Sequence, residues 1–418
     1  MKVLIITYYW PPAGGSGVQR WLKFVKYLQD FNITPIVYTP DTIDFPKLDE
    51  SLLKEIPDNV EVLKQPIWNP INLFFWKKNK KQQGVSSATN NKFLSFIRGN
   101  FFVPDAKVFW VKPSVNFLCK YIKENDVEVI ISTGPPHSMH LIAQKIKQKI
   151  PVKWIADFRD PWTNIYYNKE FSQTLFAKKR NLKLEKSVLS SADYIVTVSN
   201  SLKRTFLETA KNVAVITNGY DDEVLENEAV QVSKKFTISY IGLLPKQSNP
   251  TILFKVLKHI SDENDTFKKD LQIQFIGDIA NEVKEEINVN NLTENTQFVD
   301  YVSHDKAVKF QKESQVLLLL IPNVPNNKGI LTGKLFEYLT SKRPILAIGP
   351  EESDLSEILK NTNAGIVVDF NNEQKLTTAI LRLYKSYKNG SLQSETINID
   401  KFHRRELTKQ LAKIIKQI

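Results

Sequence analysis

The stretch KGILTGKLFEYLTSKRPILAIG, residues 328–349, combines the residue types that a nucleotide diphosphate requires. Its pattern predicts a helix that begins near Thr332, Gly333 and Lys334. A helix N-terminus offers free N–H groups and partial positive charge, the glycine permits close approach, and the lysine adds a full charge. Glu337 follows one turn later, where its carboxylate can accept both ribose hydroxyls. The alternative is a surface Glu337 that pairs with Lys334, which contributes only a few tenths of a kcal/mol.

A second stretch, PPAGGSGVQRW at residues 11–21, lies between the first predicted strand and the first predicted helix. A dinucleotide-binding loop requires G-x-G-x-x-G/A, because the last small residue lets the helix pack closely on the strand. Gly15 and Gly17 occupy the first two positions, but Arg20 occupies the third, so NAD binding is disfavoured. A glycine-rich backbone at a helix N-terminus can still bind phosphate oxygens.

Two further strand ends carry polar side chains. His137 follows a strand and a Gly-Pro-Pro turn in IISTGPPHSMHLIA, residues 130–143. The strand in WIADFRDPWTN, residues 154–164, runs into a charged cluster formed by Asp157, Arg159 and Asp160. Doubly wound sheets bind ligands at the carboxyl ends of their strands, so we expect His137 and this cluster in an active cleft. We expect His140 to pack or to cap its helix, and a structural ion pair between Arg159 and an aspartate is the alternative for the cluster.

Several classes of chemistry have no motif in the chain. It contains no Asp-x-Asp, P-loop, G-x-S-x-G or zinc pattern, and the two histidines of residues 130–143 have no carboxylate or cysteine cluster beside them. We therefore predict no metal site and no cofactor. The net charge of +12 fits nucleic acid, anionic lipid or a phosphorylated substrate, but no nucleic-acid-binding motif accompanies it.

Short apolar runs alternate with amphipathic segments, which is the βαβ pattern of parallel sheets covered by helices on both faces. The 418 residues suit two such domains, which we place at 1–220 and 236–400, with an acidic, irregular linker within 215–236. The predicted strands are Val3–Tyr8, Pro35–Tyr38, Val129–Ser132, Lys153–Ala156, Tyr194–Val198, Thr237–Ile241, Gln272–Ile276, Val316–Ile321, Ile345–Ile348 and Gly365–Val368.

The segment 401–418 predicts a closing helix that packs back on the first domain. One face of this helix is apolar and carries Leu407, Leu411, Ile414, Ile415 and Ile418. Elsewhere, the single cysteine, Cys119, excludes an internal disulfide framework, and the chain has neither a signal-peptide pattern nor an apolar run long enough to span a membrane. These features predict a cytoplasmic protein.

Residues 64–104 depart from the alternating pattern, because they contain no Asp or Glu but seven Lys or Arg and eight Phe or Trp. Basic residues beside aromatic rings suit a membrane interface, where the rings lie at headgroup depth and the cations meet anionic lipid. The alternative is a variable insertion whose aromatic side chains pack internally. We favour contact with a membrane or an acceptor, because a solvated loop of this length usually carries acids.

Together these motifs resemble the GT-B glycosyltransferases, and most closely glycosyltransferase family 4 and its bacterial relatives that build surface polysaccharides. The resemblance extends over nearly the whole chain, through YYWPPAGGSGVQR, STGPPHS, DFRDPW, ADYIVTVSNSL, VITNGYDDEVL, YIGLL and GKLFEYLTSKRPIL. It implies two Rossmann-like domains that face each other across a cleft, with a nucleotide-sugar held mainly by the second domain. Each motif is loose by itself, but their order and spacing are specific together.

The resemblance also assigns roles to residues. The ribose-binding glutamate of the family falls on Glu337, and the histidine beside the transferred sugar falls on His137, which we assign as catalytic together with Asp160. The donor-binding assignments are Gly15, Gly17, Gly242, Lys246, Thr332, Gly333, Lys334 and Glu337, and those facing the acceptor or the cleft are Gly14, Asp157 and Arg159. Gly329 replaces the first glutamate of the family's pair, and Lys246 is shifted from the position of the expected basic residue.

The function implied is metal-independent, retaining transfer of a sugar from a nucleotide-sugar to a lipid-linked or cell-surface glycan acceptor. An anionic membrane surface would be a further partner, at the inner face of the membrane, and nucleic acid would not be one. Two alternatives share the fold. A sugar-nucleotide 2-epimerase would need no acceptor, and a non-catalytic member would bind only a membrane or a partner, which the glycine at position 329 allows.

Overall fold

The computed structural model describes most of the chain, namely residues 1–41, 48–67, 92–165, 173–221 and 230–418. It divides into two compact units. The first contains Met1–Thr217 together with Arg404–Ile418, and the second contains Asn218–His403. Residues 68–91 of the predicted insertion and residues 222–229 of the predicted linker lie outside the described residues.

The first unit contains a parallel seven-stranded sheet in the order β3-β2-β1-β4-β5-β6-β7. Its strands are β1 (Lys2–Ile6), β2 (Thr34–Pro40), β3 (Glu61–Gln65), β4 (Val129–Gly134), β5 (Lys153–Phe158), β6 (Tyr194–Thr197) and β7 (Val213–Val215). The helices are α1 (Ser16–Leu28), α2 (Lys92–Phe101), α3 (Val111–Glu124), α4 (Ser138–Lys149), α5 (Leu175–Ser191), α6 (Asn200–Phe206) and, from the C-terminal segment, α14 (Arg404–Gln417).

The second unit contains a parallel six-stranded sheet in the order β10-β9-β8-β11-β12-β13. Its strands are β8 (Phe236–Ile241), β9 (Leu271–Ile276), β10 (Thr296–Val299), β11 (Val316–Leu320), β12 (Ile345–Ile348) and β13 (Gly365–Val368). The helices are α7 (Thr251–Glu263), α8 (Asp265–Asp270), α9 (Asn281–Val289), α10 (His304–Glu313), α11 (Gly333–Thr340), α12 (Asp354–Asn361) and α13 (Glu373–Lys388).

Both sheets reverse their strand order beside their first strand. In the first unit β1 pairs with β2 on one side and with β4 on the other. In the second unit β8 pairs with β9 and with β11 in the same way. Ligands of open α/β sheets bind outside the carboxyl ends of the strands at this reversal, so each unit has one place where a site is expected.

The predicted fold, two doubly wound α/β domains, is confirmed. The central strands are apolar and buried on both faces, as in β11, where all five residues are buried, and this makes them easy to recognise from sequence. Three strands were not predicted: β3, β7 and β10. Each lies at the edge of its sheet. Strands β3 and β10 are partly exposed and β7 is only three residues long, so none of the three gives a long apolar run.

The C-terminal helix α14 belongs to the first unit and packs on α1. Its apolar face is buried through Leu407, Leu411, Ile414 and Ile415, whereas Ile418 lies one residue beyond the end of the helix. These side chains join the apolar cluster that β1 and α1 form on one face of the sheet.

Candidate functional site

The loop between β1 and α1 forms one side of the strand reversal in the first unit. Gly15 precedes α1 with a φ of 105°, a left-handed value that favours glycine, and Gly14 beside it is buried. No side chain caps α1, and its first turn contains no acid. The first N–H groups of a helix have no acceptor one turn earlier, so this start suits an anion at Ser16 and Gly17, while Val18 already donates to the carbonyl oxygen of Gly15 at 3.1 Å.

Arg159 connects this loop to the loop after β4. Its Nε donates to the carbonyl oxygen of Gly134 at 3.2 Å, and its Nη2 donates to the carbonyl oxygen of Pro135. On the other side, its Nη1 fills the space above Gly17, where an added Cβ would lie only 1.6 Å from it. Gly17 therefore matters because it leaves room for the guanidinium. Among the described residues, no aspartate is a hydrogen-bond partner of Arg159.

His137 lies in the loop after β4, directly before α4, and only 8% of its surface is exposed. Its ring stacks on Trp162 at 4.7 Å between centroids, and its buried Nδ1 has no hydrogen-bond partner among the described residues. Burial, then the neighbouring His140 and Arg159, hold the pKa of His137 well below its usual range. The imidazole is therefore neutral at pH 7 and can accept or donate one hydrogen bond at each ring nitrogen, according to its tautomer.

His140 was expected either to pack or to cap its helix, and the structure shows that it packs inside the unit. It is fully buried and stacks on Phe158, and its Nδ1 lies 2.8 Å from the hydroxyl of Ser132. Trp154 donates to the same hydroxyl at 2.9 Å. Burial, aided by the charge of Arg159, lowers the pKa of His140 to about 3. This histidine supports the floor of the site and stays neutral.

The structure corrects the prediction that Asp157 lines a cleft. Both Asp157 and Arg20 are only 1% exposed, and Arg20 Nη2 lies 3.1 Å from Asp157 Oδ1. The second carboxylate oxygen accepts from Trp21 Nε1 and from the hydroxyl of Thr133, both at 2.8 Å. Asp157, the last residue but one of β5, therefore ties this strand to α1 through Arg20 and Trp21.

Arg20 occupies the position where a dinucleotide-binding loop has a small residue. Its guanidinium has a structural role instead. It donates to the carbonyl oxygens of Ile216 and Thr217 at 2.8 and 2.7 Å, in addition to its ion pair with the aspartate. These carbonyls are the last two of the first unit before the chain passes to the second. The buried ion pair therefore fixes this end of the unit, a role that the sequence did not indicate.

Asp160 follows β5 and is half-buried. Burial raises its pKa, Arg159 opposes the shift, and the charge of Asp157 adds to it. A carboxyl of this kind at the sheet edge can hold a proton more readily than an exposed aspartate, and its assignment as catalytic stays a prediction.

The second unit brings Gly242 and Lys334 together at its own strand reversal. Gly242 follows β8 with a φ of 112°, and a Cβ added there would lie 3.0 Å from Cε of Lys334. The ammonium of Lys334 lies 3.7 Å from the centre of the Tyr240 ring. Burial lowers the pKa of Lys334 to about 7, while the charge of Glu337 opposes the shift. The lysine is thus a cation whose charge depends on what binds beside it.

Thr332 is the residue that precedes α11, and the predicted helix start is correct. In the part of the chain that the structure describes, no side chain caps this helix and the buried Thr332 hydroxyl has no hydrogen-bond partner; the first turn of the helix contains no acid. Gly333 is the first residue of the helix. The arrangement leaves a hydroxyl, free backbone N–H groups and Lys334 in one place, which is the donor set of a phosphate site.

Glu337 lies one turn into α11 and is half-buried. Its Oε2 accepts from Gln311 Nε2 on α10 at 3.0 Å, and among the described residues no ion pair joins it to Lys334. The alternative of a surface pair between the two is therefore not what the structure shows. Gln311, which is 26 positions away, was missed by the sequence analysis because a lone glutamine in a polar helix carries no pattern.

Lys246 and Gly329 lie in short turns of the second unit. Lys246 begins the turn Lys246–Ser248 after β8, is 70% exposed and pairs with Glu282 of α9 at 3.1 Å. Gly329 ends the turn Asn327–Gly329. The assignment of Lys246 to the phosphates stays a prediction.

Within the part of the chain that the structure describes, no group of three or more His, Cys, Asp or Glu side chains is placed to hold a metal ion.

No helix among the described segments has the length and apolar character that a membrane crossing requires.

The comparisons with known proteins come from sequence families and from solved structures. The family described as Glycosyl transferases group 1 matches residues 235–386, and Glycosyltransferase Family 4 matches residues 86–224, which together are more than half of the chain. No curated protein matches the sequence.

Many solved structures share the fold at low sequence identity. Sucrose-phosphate synthase from Thermosynechococcus elongatus is 11% identical with a TM-score of 0.67, and the match covers 100% of this chain and 98% of the synthase. The lipopolysaccharide outer core galactosyltransferase WaaB is 16% identical with a TM-score of 0.59 and is covered completely, as is this chain. A protein of Listeria monocytogenes assigned as a UDP-N-acetylglucosamine 2-epimerase is 11% identical with a TM-score of 0.57, over 100% of this chain and 96% of its own.

Proposed function

Because the chain is a glycosyltransferase of the GT-B fold, similar to family 4, we propose that it uses a nucleotide-sugar donor bound at the strand reversal of the second unit. The observation that carries this proposal is the group formed by Gly242, Thr332 and Lys334. This place combines a glycine backbone, a hydroxyl that has no hydrogen-bond partner among the described residues, the N–H groups of a helix start and a partly buried cation. The diphosphate would lie at the start of α11, and the carboxylate of Glu337 would accept hydrogen bonds from the ribose hydroxyls.

The chemical step requires stabilisation of the negative charge that develops on the departing diphosphate. Backbone N–H groups and Lys334 can supply this without a metal, and they are fixed before the reaction starts. We therefore propose a metal-independent reaction. Retention of configuration, with front-face attack assisted by the departing phosphate, is the stereochemistry that the family resemblance supports.

In the first unit, we propose that the glycine loop at Gly15 and Gly17 and the loop of His137 bind the transferred sugar and the acceptor. A neutral, stacked imidazole can hydrogen-bond a sugar hydroxyl without carrying a charge. Arg159 would hold the two loops in register, because it bonds one of them and fills the space above the other.

The acceptor we propose is a lipid-linked or cell-surface glycan, reached from the cytoplasmic side of the inner membrane. The similarity to a lipopolysaccharide galactosyltransferase and the aromatic, basic composition of residues 64–104 support this choice. An anionic membrane surface is the further partner that follows from it.

The experiment that tests the proposal is a thermal-shift screen against a panel of nucleotide-sugars and nucleoside diphosphates, followed by mass spectrometry of the products with and without acceptor. A stabilising nucleotide and a glycosylated acceptor are expected. The similarity to the Listeria monocytogenes protein makes epimerisation the second candidate. An epimerised sugar released from donor alone would favour that candidate, and absence of any nucleotide binding would refute both.

A further inference from the structure

Helix α5 of the first unit exposes large apolar side chains to solvent. Leu175 and Phe176, at the N-terminal end of α5, are 77% and 75% exposed, and Leu182 is 44% exposed. Single exposed apolar side chains are common on protein surfaces, but several together on one helix form the kind of patch that marks an interaction site. Their exposure on one helix therefore needs an explanation beyond the packing of the unit.

The same helix exposes only positive charge. Its five cations are exposed: Lys178, Lys179, Arg180, Lys183 and Lys186. Among the described residues, no ion pair joins any of them to an acid. The single acid of α5, Glu185, is buried and accepts from the backbone N–H groups of Trp162 and Thr163.

The apolar and basic side chains alternate along one stripe. Leu175, Lys179, Leu182 and Lys186 are spaced by four, three and four residues, a spacing that places them on the same face of a helix. Phe176 and Lys183, seven residues apart, form the adjacent row. We call these six residues the α5 basic surface. The opposite face carries Ala177, Asn181 and Val188, which are buried in the unit.

The position of this surface relates it to the candidate site. Because α5 follows β5 in a parallel sheet, its N-terminal end lies at the carboxyl edge of the strands, the edge that carries His137 and Arg159. The N–H group of Thr174 donates to the side chain of Asn100 at the end of α2, where Phe101 is 71% exposed. An exposed phenylalanine is therefore the chain neighbour of a residue that bonds the start of α5.

We infer that the α5 basic surface lies on an anionic phospholipid bilayer, with the apolar side chains at the level of the headgroups and the lysines on the phosphates. Lysines beside leucine and phenylalanine are the composition of a helix that lies in the membrane interface. A nucleic acid would satisfy the cations but would leave Leu175 and Leu182 without an apolar environment. This inference rests on the proposed lipid-linked acceptor, because the surface would bring the carboxyl edge of the first unit to the lipid.

The test is co-sedimentation of the full chain with vesicles of phosphatidylcholine alone and of phosphatidylcholine with phosphatidylglycerol. We expect binding to the anionic vesicles that is lost at 0.5 M salt. L175S/F176S should weaken the partition coefficient at least about tenfold, because each side chain loses its apolar contact. K179E/K183E should weaken it about thirtyfold or more, because each cation near an anionic surface contributes a several-fold gain.

Matched controls come from the second unit, where V289S/L381S and K360E/K385E also change exposed side chains and should leave the partition coefficient unchanged. Nucleoside diphosphate binding, measured on the same samples, should be the same in all variants. Its absence from every sample would refute the proposed donor site and not the surface. The inference would be overturned if the wild-type chain did not sediment, if it bound neutral vesicles equally well, or if both α5 variants bound like wild type. It would also be overturned if the α5 variants lost affinity for a labelled RNA duplex but not for vesicles.

Discussion

The affinity for a nucleoside diphosphate should depend on pH through Lys334. Burial lowers the pKa of this lysine to about 7 in the free protein, so about half of it is charged at pH 7. A diphosphate beside its ammonium favours the charged form and raises the pKa in the complex. Binding therefore takes up a proton, and affinity must fall as the pH rises above the pKa of the free protein.

The size of the effect follows from the protonated fraction. Between pH 7 and pH 9, the charged fraction of a group with a pKa of about 7 falls about fiftyfold, so the Kd should rise about fiftyfold, or about 2.3 kcal/mol. This range lies above the pKa of about 6 of a terminal phosphate, so the nucleotide itself keeps nearly the same charge. At pH 8, about 0.9 proton should be taken up for each nucleotide bound.

Isothermal titration calorimetry measures both quantities. Titrations at pH 7, 8 and 9 give the Kd, and a comparison of HEPES with Tris at pH 8 gives the proton uptake. Lys334→Arg keeps a charge at every pH and should flatten the profile, while Lys334→Met should bind weakly at all three values. Lys360→Met is the matched control, because this exposed lysine of α12 has no role in the site and should leave the slope intact.

A flat profile in the wild-type chain would refute the reasoning, and so would an unchanged slope in Lys334→Arg. The first result would mean that the lysine does not face the phosphates. The second would mean that another group titrates.

Three further predictions concern other residues of the two units. Glu337→Ala should weaken nucleoside diphosphate binding by about thirtyfold to a thousandfold, because two charge-assisted hydrogen bonds of about 1–2 kcal/mol each are lost. Calorimetry measures the affinity, and an unchanged circular dichroism spectrum is the control for folding. Gly17→Ala should displace the guanidinium of Arg159 and lower kcat at least about tenfold in a transfer assay, while nucleotide Kd stays constant; an unaffected kcat would contradict the role given to Arg159. Asp157→Asn should lower the free energy of unfolding by about 3–5 kcal/mol in a urea titration, because Arg20 keeps a buried charge without its partner; equal stability of variant and wild type would show that the pair is dispensable.

The sequence predicted the fold well where burial is complete. Strand β11 is a continuous apolar run, β4 begins with one and is buried throughout, and α11 begins where the Thr-Gly-Lys stretch predicted. The edge strands β3 and β10 escaped because their residues are half-exposed and mixed in polarity. Their pairing depends on neighbours distant in sequence, which a local pattern does not record.

Side-chain partners were less predictable than positions. Asp157 occupies the predicted strand end, but the charge that neutralises it comes from Arg20, 137 positions earlier. Arg159 was expected to pair with an aspartate or to line a cleft; its hydrogen bonds go to backbone carbonyls, and its place in a cleft stays a prediction. Both outcomes depend on which loops the sheet brings together. A motif of ten residues predicts that a charged group lies at the edge, but it does not predict the partner.

The central claim is that a nucleoside diphosphate binds at the strand reversal of the second unit, and hydrogen–deuterium exchange with mass spectrometry tests it most directly. Exchange is measured on the full chain with and without the nucleoside diphosphate that the thermal-shift screen selects. We predict protection of peptides that contain Gly242 and the start of α11 at Thr332–Lys334. Protection confined to the glycine loop at Gly15 and Gly17, with unchanged exchange at α11, would contradict it.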